Sequence, residues 1–281
     1  MIRGMTSASA AKAGADLGSS MVVERVLERG VDLRQYKENF LKRRLDIRLK
    51  ARGISDYSQY ALLLDSDPSE FHSLLATFSI NVTEFFRDVD FYNAFYSHII
   101  PDMHIAAGGR GEIKVWSAGC ASGEEAYALA IMFSEAAESL AGFRGRIIAT
   151  DFSSKSIEAA RLGRYDAARL ANVPEDILAK YFTHLPNGKH QVSEKLKNMI
   201  DFDIGNLATM NAPQQVDAIF CRNVLMYFDK DMQLKILTKF HKSLIDGGYF
   251  ILGQSEAVMG ESSALFETVM PKERIYRKKR R

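Results

Sequence analysis

A strand, a turn of small residues and a helix follow one another in residues 113–133, and this succession constrains the fold more than any other stretch. Ile113 to Trp116 is an apolar run typical of a short buried strand, and apolar residues then recur at helical spacing up to Phe133. The turn between them, Ser117 to Gly123, consists of small residues, which allow the backbone to lie close to a ligand. Because a helix start offers free N–H groups, the stretch predicts an α/β domain with a ligand site at this turn.

Two carboxylates, Glu124 and Glu125, stand in the first turn of that predicted helix. They would repel a pyrophosphate, but not a ligand that carries hydroxyls and an amino group or a cationic centre. The loop 119–123 also lacks the glycine spacing of dinucleotide enzymes and the lysine of a phosphate cradle. The turn alone is equally typical of strand–helix connections that bind nothing, so other stretches have to decide.

Two further predicted strands end in polar residues. Arg146 to Asp151 ends in a carboxylate, and Val216 to Cys221 leads into Arg222 and Asn223. An acidic residue at the end of the second strand is where an open α/β sheet binds the ribose hydroxyls of an adenosine. The three strand ends therefore predict one ligand crevice at the carboxyl edge of a sheet.

Five motifs in fixed order resemble the chemotaxis receptor methyltransferase family, CheR. They are Asn81 to Arg87 (NVTEFFR), WSA at 116–118 with GEE at 123–125, TD at 150–151, DIGNL at 203–207, and Phe220 to Phe228 (FCRNVLMYF). Each motif alone is modest, but their order and spacing are highly specific. The resemblance covers about residues 20 to 281.

The resemblance implies an α/β fold, the Rossmann-like doubly wound sheet of class I S-adenosylmethionine-dependent methyltransferases. It also implies a small N-terminal all-α domain and a short antiparallel β insert. Periodicity and turn residues suggest the boundaries. They predict a disordered tail rich in Ala, Ser and Gly at 1–20, a helical domain at 21–96, a linker at 97–111, the cofactor-binding domain at 112–281 and the insert at about 183–201.

The implied activity is that of a protein-glutamate O-methyltransferase. It would methylate glutamate side chains on the cytoplasmic helices of chemotaxis receptors during sensory adaptation, using S-adenosylmethionine and releasing S-adenosylhomocysteine. A neutral thioether leaves and the attacking carboxylate is already ionised, so neither a general acid nor a general base is required. The six histidines show no metal-ligand spacing, and no metal is expected.

By the same resemblance, the cofactor-binding residues are Asn81, Thr83, Arg87, Glu125, Asp151, Asn206, Leu207, Arg222 and Asn223. Asp151 would bind the ribose, and Glu125 would line the cofactor site, although Glu124 beside it is not separable from it. Arg87 and Tyr227 are the catalytic candidates, with Tyr227 orienting the acceptor carboxylate. Alternatively, Tyr227 is an ordinary half-buried aromatic residue, and Arg87 is a helix-surface arginine paired with a neighbouring aspartate.

A predicted helix from Glu38 to Arg52 carries a basic row, Arg44, Arg48 and Arg52, at every fourth position. Apolar residues flank the row on both sides, which is unusual for a solvated face. A basic row within apolar surface suits docking on an acidic helix, and in the family this helix faces the receptor. A solvated face and a nucleic-acid contact are the alternatives.

Composition is that of an ordinary globular protein, with a net charge of +2 and 47% hydrophobic residues, and it implies no strongly polyanionic partner. Two cysteines suit a reducing cytosol, and no apolar run approaches a membrane span. We therefore expect a cytoplasmic monomer without membrane insertion or bound nucleic acid. Three alternatives stay open: a methyltransferase acting on RNA or another acceptor, a non-catalytic S-adenosylmethionine sensor, and a nucleic-acid module that uses the basic helix.

One departure from the family concerns the insert. Some members carry a longer hairpin with a glycine-x-glycine loop, which adds a strand to a tethering peptide at the receptor's C-terminus. Here the turn is only Leu185-Pro-Asn-Gly188, where Asn-Gly predicts a tight hairpin, and no such loop occurs between Phe182 and Phe202. The sequence therefore predicts the pentapeptide-independent type of the family.

Overall fold

The computed structural model describes residues 7–79, 82–108 and 111–279, with side chains described from residue 18 onward. The chain divides into two compact units. The helical unit comprises residues 1–80 and 227–232, and the α/β unit comprises residues 81–226 and 233–281. Within the described residues, every helix is too short or too polar to traverse a bilayer.

The helical unit is built on α1 Ser7–Glu28, α2 Glu38–Arg52, α3 Tyr57–Ser66 and α4 Pro68–Phe78. Local sequence accounts for several of their ends. Gly53 follows α2 with φ +65°, the left-handed conformation that terminates a helix, while Asp56 and Asp67 accept N-cap hydrogen bonds at α3 and α4. Pro68 occupies the first turn of α4, where its missing N–H costs nothing.

A distant part of the chain completes the helical unit. The Lys37 N–H donates to the carbonyl of Tyr227 (3.0 Å), and the Asp229 N–H donates to the carbonyl of Gln35 (3.0 Å). Between these two bonds the rings of Tyr36 and Phe228 stack, with centroids 5.0 Å apart and planes inclined by 17°. The segment 227–232 is therefore part of this unit's packing although its sequence lies between elements of the other unit.

The α/β unit contains a seven-stranded sheet in the order β6-β2-β1-β7-β8-β10-β9. Its strands are β1 Ile113–Ala118, β2 Gly145–Asp151, β6 Ile200–Ile204, β7 Val216–Cys221, β8 Leu244–Leu252, β9 Phe266–Met270 and β10 Ile275–Lys278. The first five strands in that order pair in parallel, and β10 pairs antiparallel with both of its neighbours. The predicted fold class, a doubly wound sheet with an antiparallel end and an N-terminal all-α part, is confirmed.

Helices and a second, smaller sheet accompany the main sheet. The helices are α5 Val89–Ala94, α6 Ile100–Ala107, α7 Glu124–Ser139, α8 Ser154–Leu162, α9 Glu175–Tyr181, α10 Glu194–Lys197 and α11 Lys230–Ser243. The small sheet has the order β3-β5-β4, with β3 Arg164–Tyr165, β4 Phe182–His184 and β5 His190–Val192. Helix α7 and strand β7 are almost entirely buried, which fits their nearly continuous apolar sequences.

The N-terminal boundaries differ from the expected ones. Helix α1 begins at Ser7, inside the stretch 1–20 that was predicted to be a disordered tail. Gly18 is buried, and a Cβ at this position would lie 2.9 Å from Tyr57 Cβ, so the missing side chain lets α1 and α3 approach closely. The helical unit also ends at residue 80 instead of 96, because Phe91 and Phe95 pack against Phe220 of the main sheet.

The insert also differs from the prediction of a hairpin at about 183–201. Residues 164–165, which lie outside the predicted insert, supply its third strand, β3. Residues 200–204 leave the insert and pair in parallel with β2 at the edge of the main sheet. Strand β6 alternates apolar and acidic residues, and the exposed Asp201 and Asp203 place charge on this edge strand, which discourages pairing with another chain.

Candidate cofactor and active site

The three predicted strand ends meet. In the main sheet β1 lies between β2 and β7, and all three run parallel, so their carboxyl ends share one edge. The loop after β1 is tied to β2, since the N–H groups of Gly119 and Cys120 donate to the carbonyl of Thr150 at 2.8 and 3.0 Å. Gly119 has φ +92°, and a Cβ there would lie 2.6 Å from Val224 Cγ2. Glycine is therefore required for the loops after β1 and β7 to touch.

Asp151 ends β2 and faces the loop after β1. Its Oδ2 accepts the N–H of Ala121 and its Oδ1 accepts the N–H of Ser153, both at 2.9 Å. Burial raises the pKa of Asp151, and these two hydrogen bonds counteract part of that effect. The carboxylate is thus fixed in the crevice and keeps lone pairs for further donors, which is what a ribose ligand needs.

The structure separates the two adjacent glutamates. Glu124 is fully buried, forms an ion pair with Arg169 and accepts hydrogen bonds from Ser122 Oγ. Glu125 accepts a 2.7 Å hydrogen bond from Ser117 Oγ and keeps 14% of its side chain exposed. Burial raises the pKa of Glu125, while Arg222 counteracts it. Glu125 is therefore the glutamate available to a ligand, and Glu124 has a structural role.

Arg169 is a residue that sequence reasoning missed. Besides Glu124, its Nη1 donates to the carbonyl of Thr83 at 3.0 Å, and its own carbonyl accepts the N–H of Phe85 at 3.1 Å. One arginine thus joins the start of α7 to the segment 82–88. No local signal marks Arg169, since its partners lie far away in the sequence.

Arg222 follows β7 and is almost fully buried, with 4% of its side chain exposed. Its Nη2 pairs with the Asp88 carboxylate and donates to the carbonyl of Arg87, and its Nη1 lies 3.7 Å from Glu125. The guanidinium also lies over the ring of Phe91, 4.5 Å from the centroid. Its Nε is buried without a hydrogen-bond partner among the described residues.

The segment that contains Thr83 and Arg87 belongs to the α/β unit, although it lies within the range 21–96 predicted for the helical domain. The chain after Thr83 is not helical, because Phe86 and Asp88 adopt left-handed φ values of +52° and +67° and the helix begins only at Val89. Arg87 donates to the carbonyl of Val82 at 2.9 Å. Asn81, the remaining predicted ligand of this segment, lies outside the described residues.

Asn206 and Leu207 lie in the loop after β6, which begins beside Asp151, since the Gly205 N–H donates to the Asp151 carbonyl at 2.9 Å. Asn206 Oδ1 accepts the N–H of Ala208, and Leu207 is buried. Lys239, a second residue that the sequence did not reveal, donates to the carbonyls of residues 207, 208 and 210 at 2.8–3.2 Å. Burial lowers the pKa of Lys239.

Tyr227, the second catalytic candidate, lies in the helical unit. It is half-buried, and its ring centroid is 4.7 Å from that of Phe40. The two rings line an open groove of about 570 Å³ together with Lys37, Glu38, Asn39 and Arg43. Two basic residues, Lys37 and Arg43, thus line the groove beside one acidic residue, Glu38, and the net positive charge suits an acidic side chain.

The predicted basic row needs correction. Arg48 forms two 2.8 Å hydrogen bonds with Glu70, a carboxylate of α4 that is only 1% exposed and also accepts the Tyr60 hydroxyl at 2.7 Å. Arg52 lies 3.1 Å from Asp67, so it also has a partner within the helical unit. Arg44 lies over the Phe40 ring. Burial lowers the pKa of Arg44, and the positive charge of the neighbouring Arg43 lowers it further. The apolar flanks of the row thus reflect packing between α2 and α4.

The chain's own residues fit S-adenosylmethionine. Glu125 and Asp151 are anionic acceptors suited to a cationic centre and to hydroxyls, whereas they would repel a phosphate. The orphaned Nε of Arg222 suits a carboxylate or carbonyl oxygen. In the described part of the chain, no three His, Cys, Asp or Glu side chains are grouped so as to hold a metal ion.

The fold and the side chains that fit the cofactor together define an S-adenosylmethionine-dependent methyltransferase. The profile of the CheR methyltransferase SAM binding domain matches residues 81–275, and that of the CheR all-alpha domain matches residues 27–79. The chain therefore belongs to the CheR methyltransferase family, and it is a protein methyltransferase.

Curated relatives agree along most of their length. A chemotaxis protein methyltransferase of Borreliella burgdorferi is 34% identical, over 86% of this chain and 87% of that protein. One of Salmonella typhimurium is 33% identical, over 81% of this chain and 78% of that protein. A putative methyltransferase of Pseudomonas putida, Cher3, is 32% identical, over 94% of this chain and 97% of that protein.

Proposed function

We propose that this enzyme methylates glutamate side chains on the cytoplasmic helices of chemotaxis receptors. The observation that carries the proposal is the groove at Tyr227, whose aromatic rings and net positive charge suit a carboxylate on a helix. The chemotaxis methyltransferases among its relatives support the same acceptor. We also propose that the protein acts in the cytoplasm as a monomer and binds no nucleic acid.

S-adenosylmethionine, when bound, supplies an electrophilic methyl group on a positively charged sulfur. A glutamate side chain is ionised at neutral pH, so the chain has only to hold the acceptor and exclude water from it. Alignment of the reacting groups then provides much of the acceleration. The residues of the site thus position the reactants and transfer no proton.

The roles follow from the surroundings of each side chain. Asp151, already fixed by two backbone N–H groups, would accept the ribose hydroxyls, and Glu125 with Arg222 would hold the charged amino-acid end of the cofactor. The loop of Asn206 and Leu207 would hold the adenine. The remaining proposed cofactor contacts are Asn81, Thr83, Arg87 and Asn223, and Tyr227 would orient the acceptor carboxylate.

The proposed receptor surface on α2 is revised. Arg48 is engaged with Glu70 and is not available for docking. Lys37 and Arg43 are exposed at the groove of Tyr227, and Lys42 and Ile47 are exposed on the same helix as Arg43. We therefore assign docking to Lys37 and Arg43, with Arg44 behind them as a partly buried charge.

The function can be tested with tritiated S-adenosylmethionine and membranes from chemotactic cells, with RNA as competitor. We expect label in receptor protein that base releases as methanol, the property of a carboxyl methyl ester. Base-stable label, or label in RNA, would favour a methyltransferase with another acceptor. S-adenosylmethionine binding without any transfer would favour a non-catalytic sensor.

Replacing Asp151 with alanine should weaken S-adenosylhomocysteine binding by at least about tenfold, because charge-assisted hydrogen bonds contribute about 1.5–3 kcal/mol each. The substitution also removes the acceptor of the Ala121 N–H and so loosens the loop after β1. Calorimetry on the folded variant measures the change. An affinity equal to that of the wild type would refute the ribose assignment.

We further propose that the enzyme does not depend on the C-terminal pentapeptide found on some receptors. Strand β4, an edge of the small sheet, spans only Phe182–His184, and the turn after it is closed by a 2.7 Å bond from the Leu185 N–H to the Lys189 carbonyl. Recruitment by strand addition requires an edge long enough to pair with a peptide.

Titration of that pentapeptide into the enzyme should therefore give no heat up to millimolar concentration, while receptor methylation proceeds. Deleting the pentapeptide from a receptor should leave its methylation rate unchanged. Saturable binding at low micromolar concentration would contradict this proposal without affecting the acceptor assignment.

A further inference from the structure

Glu256, four residues after β8, holds the loop that follows β7 through hydrogen bonds from backbone N–H groups. Glu256 is 6% exposed, and its carboxylate accepts three N–H groups: those of Asn223 and Gly253 at Oε2 (2.6 and 2.9 Å) and that of Met226 at Oε1 (3.0 Å). Its own N–H donates to the Gly253 carbonyl at 2.9 Å, which forms a tight turn. A single side chain therefore fixes both ends of the tetrapeptide 223–226.

Only a carboxylate satisfies this arrangement. Three N–H donors point at two oxygens, and an ionised carboxylate is the side-chain group that accepts at both without donating. A glutamine would turn an NH₂ group toward at least one N–H and leave a donor unsatisfied. The chain also turns sharply at Asn223, which adopts a left-handed φ of +60°, a conformation that asparagine tolerates better than most other residues.

A second and independent feature fixes Asn223 in the same place. A Cβ built on Gly253 would lie 2.7 Å from Asn223 Nδ2 and 2.9 Å from Asn223 N, so only glycine admits the amide at this distance. Glu256 fixes the backbone of Asn223, and Gly253 determines the space for its side chain. Such double support is expected where a side chain must be preorganised for a ligand.

We propose that Glu256 is a positioning residue for methyl transfer. It acts through Asn223, which contacts the cofactor, and through Met226, which directly precedes the acceptor-orienting Tyr227 in the sequence. This inference rests on the roles proposed above for Asn223 and Tyr227. Glu256 itself contacts neither substrate nor cofactor.

The test compares E256Q with E135Q. Glu135 is a matched control, because its carboxylate also accepts hydrogen bonds, from Lys180 and Tyr181, in the same unit but outside the site. We expect E256Q to weaken S-adenosylhomocysteine binding by at least about fivefold and to lower kcat by at least about tenfold at saturating cofactor and receptor, a loss that one unsatisfied buried donor can produce. E135Q should leave both values unchanged.

A purely structural role would give a different pattern. In that case E256Q would lower the midpoint temperature of thermal unfolding and the fraction of protein molecules that bind the cofactor. The molecules that still bind would keep the wild-type cofactor affinity and kcat. That pattern, or wild-type affinity and kcat in a fully folded E256Q, would overturn the proposal. G253A should reproduce the E256Q defects with the carboxylate intact, and it provides the test if E256Q does not fold.

The cofactor titration does not depend on the acceptor. If the enzyme proved to methylate something other than receptors, weakened binding in E256Q would still support the role of Glu256. Conversely, the wild type could methylate receptors while E256Q showed unchanged cofactor binding and kcat. That result would refute this inference and leave the proposed function intact.

Discussion

Replacing Arg48 with glutamate should destabilise the helical unit by about 3–5 kcal/mol, because it leaves the buried Glu70 carboxylate with only the more distant Arg52, at 3.6 Å, and adds a second negative charge beside it. Urea unfolding of the full-length protein can measure this. Trp116, the only tryptophan in the sequence, is buried in β1, so its fluorescence reports on the α/β unit. We expect circular dichroism to show early loss of helix in the variant while tryptophan fluorescence changes much less.

Arg43→Glu is the matched control, with the same charge change at an exposed position of the same helix. It should leave the unfolding curve unchanged but lower the rate of receptor methylation severalfold at subsaturating receptor and low salt. Stability equal to that of the wild type in Arg48→Glu would show that the Arg48–Glu70 pair is dispensable.

The pH dependence of the wild type follows from the same pair. Burial acts to raise the pKa of Glu70, but hydrogen bonds from Arg48 and Tyr60 outweigh it, and the pKa is lowered overall. A carboxylate with a lowered pKa in the folded state contributes stability above its ordinary pKa, and this contribution is lost as pH falls through the lowered value. The stability difference between wild type and Arg48→Glu should therefore narrow in acid.

Replacing Arg222 with leucine should lower cofactor affinity by at least about a hundredfold and abolish measurable turnover, because it leaves two carboxylates, Asp88 and Glu125, without their buried counter-charge. It also removes the guanidinium from the ring of Phe91. Calorimetry with S-adenosylhomocysteine measures the first effect, and single-turnover methylation of receptor membranes measures the second.

Arg146→Leu is the control for this substitution. Arg146 belongs to the same unit and pairs with Asp201, but the pair is exposed and is expected to contribute no more than about 1 kcal/mol. Its affinity and turnover should equal those of the wild type. A folded Arg222→Leu that bound the cofactor within threefold of the wild type would remove Arg222 from the site.

The parts of the site that the sequence predicted are those with local signals. Gly119, the carboxylate at the end of β2 and the polar end of β7 all lie at strand ends, which apolar runs reveal. Glu256 was missed because its partners are backbone N–H groups, mostly distant in sequence, and a backbone N–H leaves no mark on residue identity. Arg169 was missed because its partners, the Glu124 carboxylate and the Thr83 carbonyl, lie 45 and 86 residues away in the sequence. The left-handed φ of Phe86 was missed because a bulky aromatic residue rarely adopts that conformation.

The error at Arg48 has a different origin. Spacing on α2 showed that the arginine lay among apolar residues, but not that a carboxylate would meet it there. The missing signal was on α4, where Glu70 stands four residues before Leu74 and eight before Phe78, on the buried face of the helix. A glutamate on an apolar face requires a partner, and the arginine row could have been assigned to it.

The role of residues 227–232 in the helical unit has a consequence for protein synthesis. A chain leaves the ribosome from its N-terminus, and N-terminal units usually fold first. Here the four N-terminal helices emerge early, yet the stack of Tyr36 on Phe228 and the bonds to Tyr227 and Asp229 cannot form until strand β7 has been translated. The nascent helical unit therefore stays incompletely packed during most of the translation of the α/β unit.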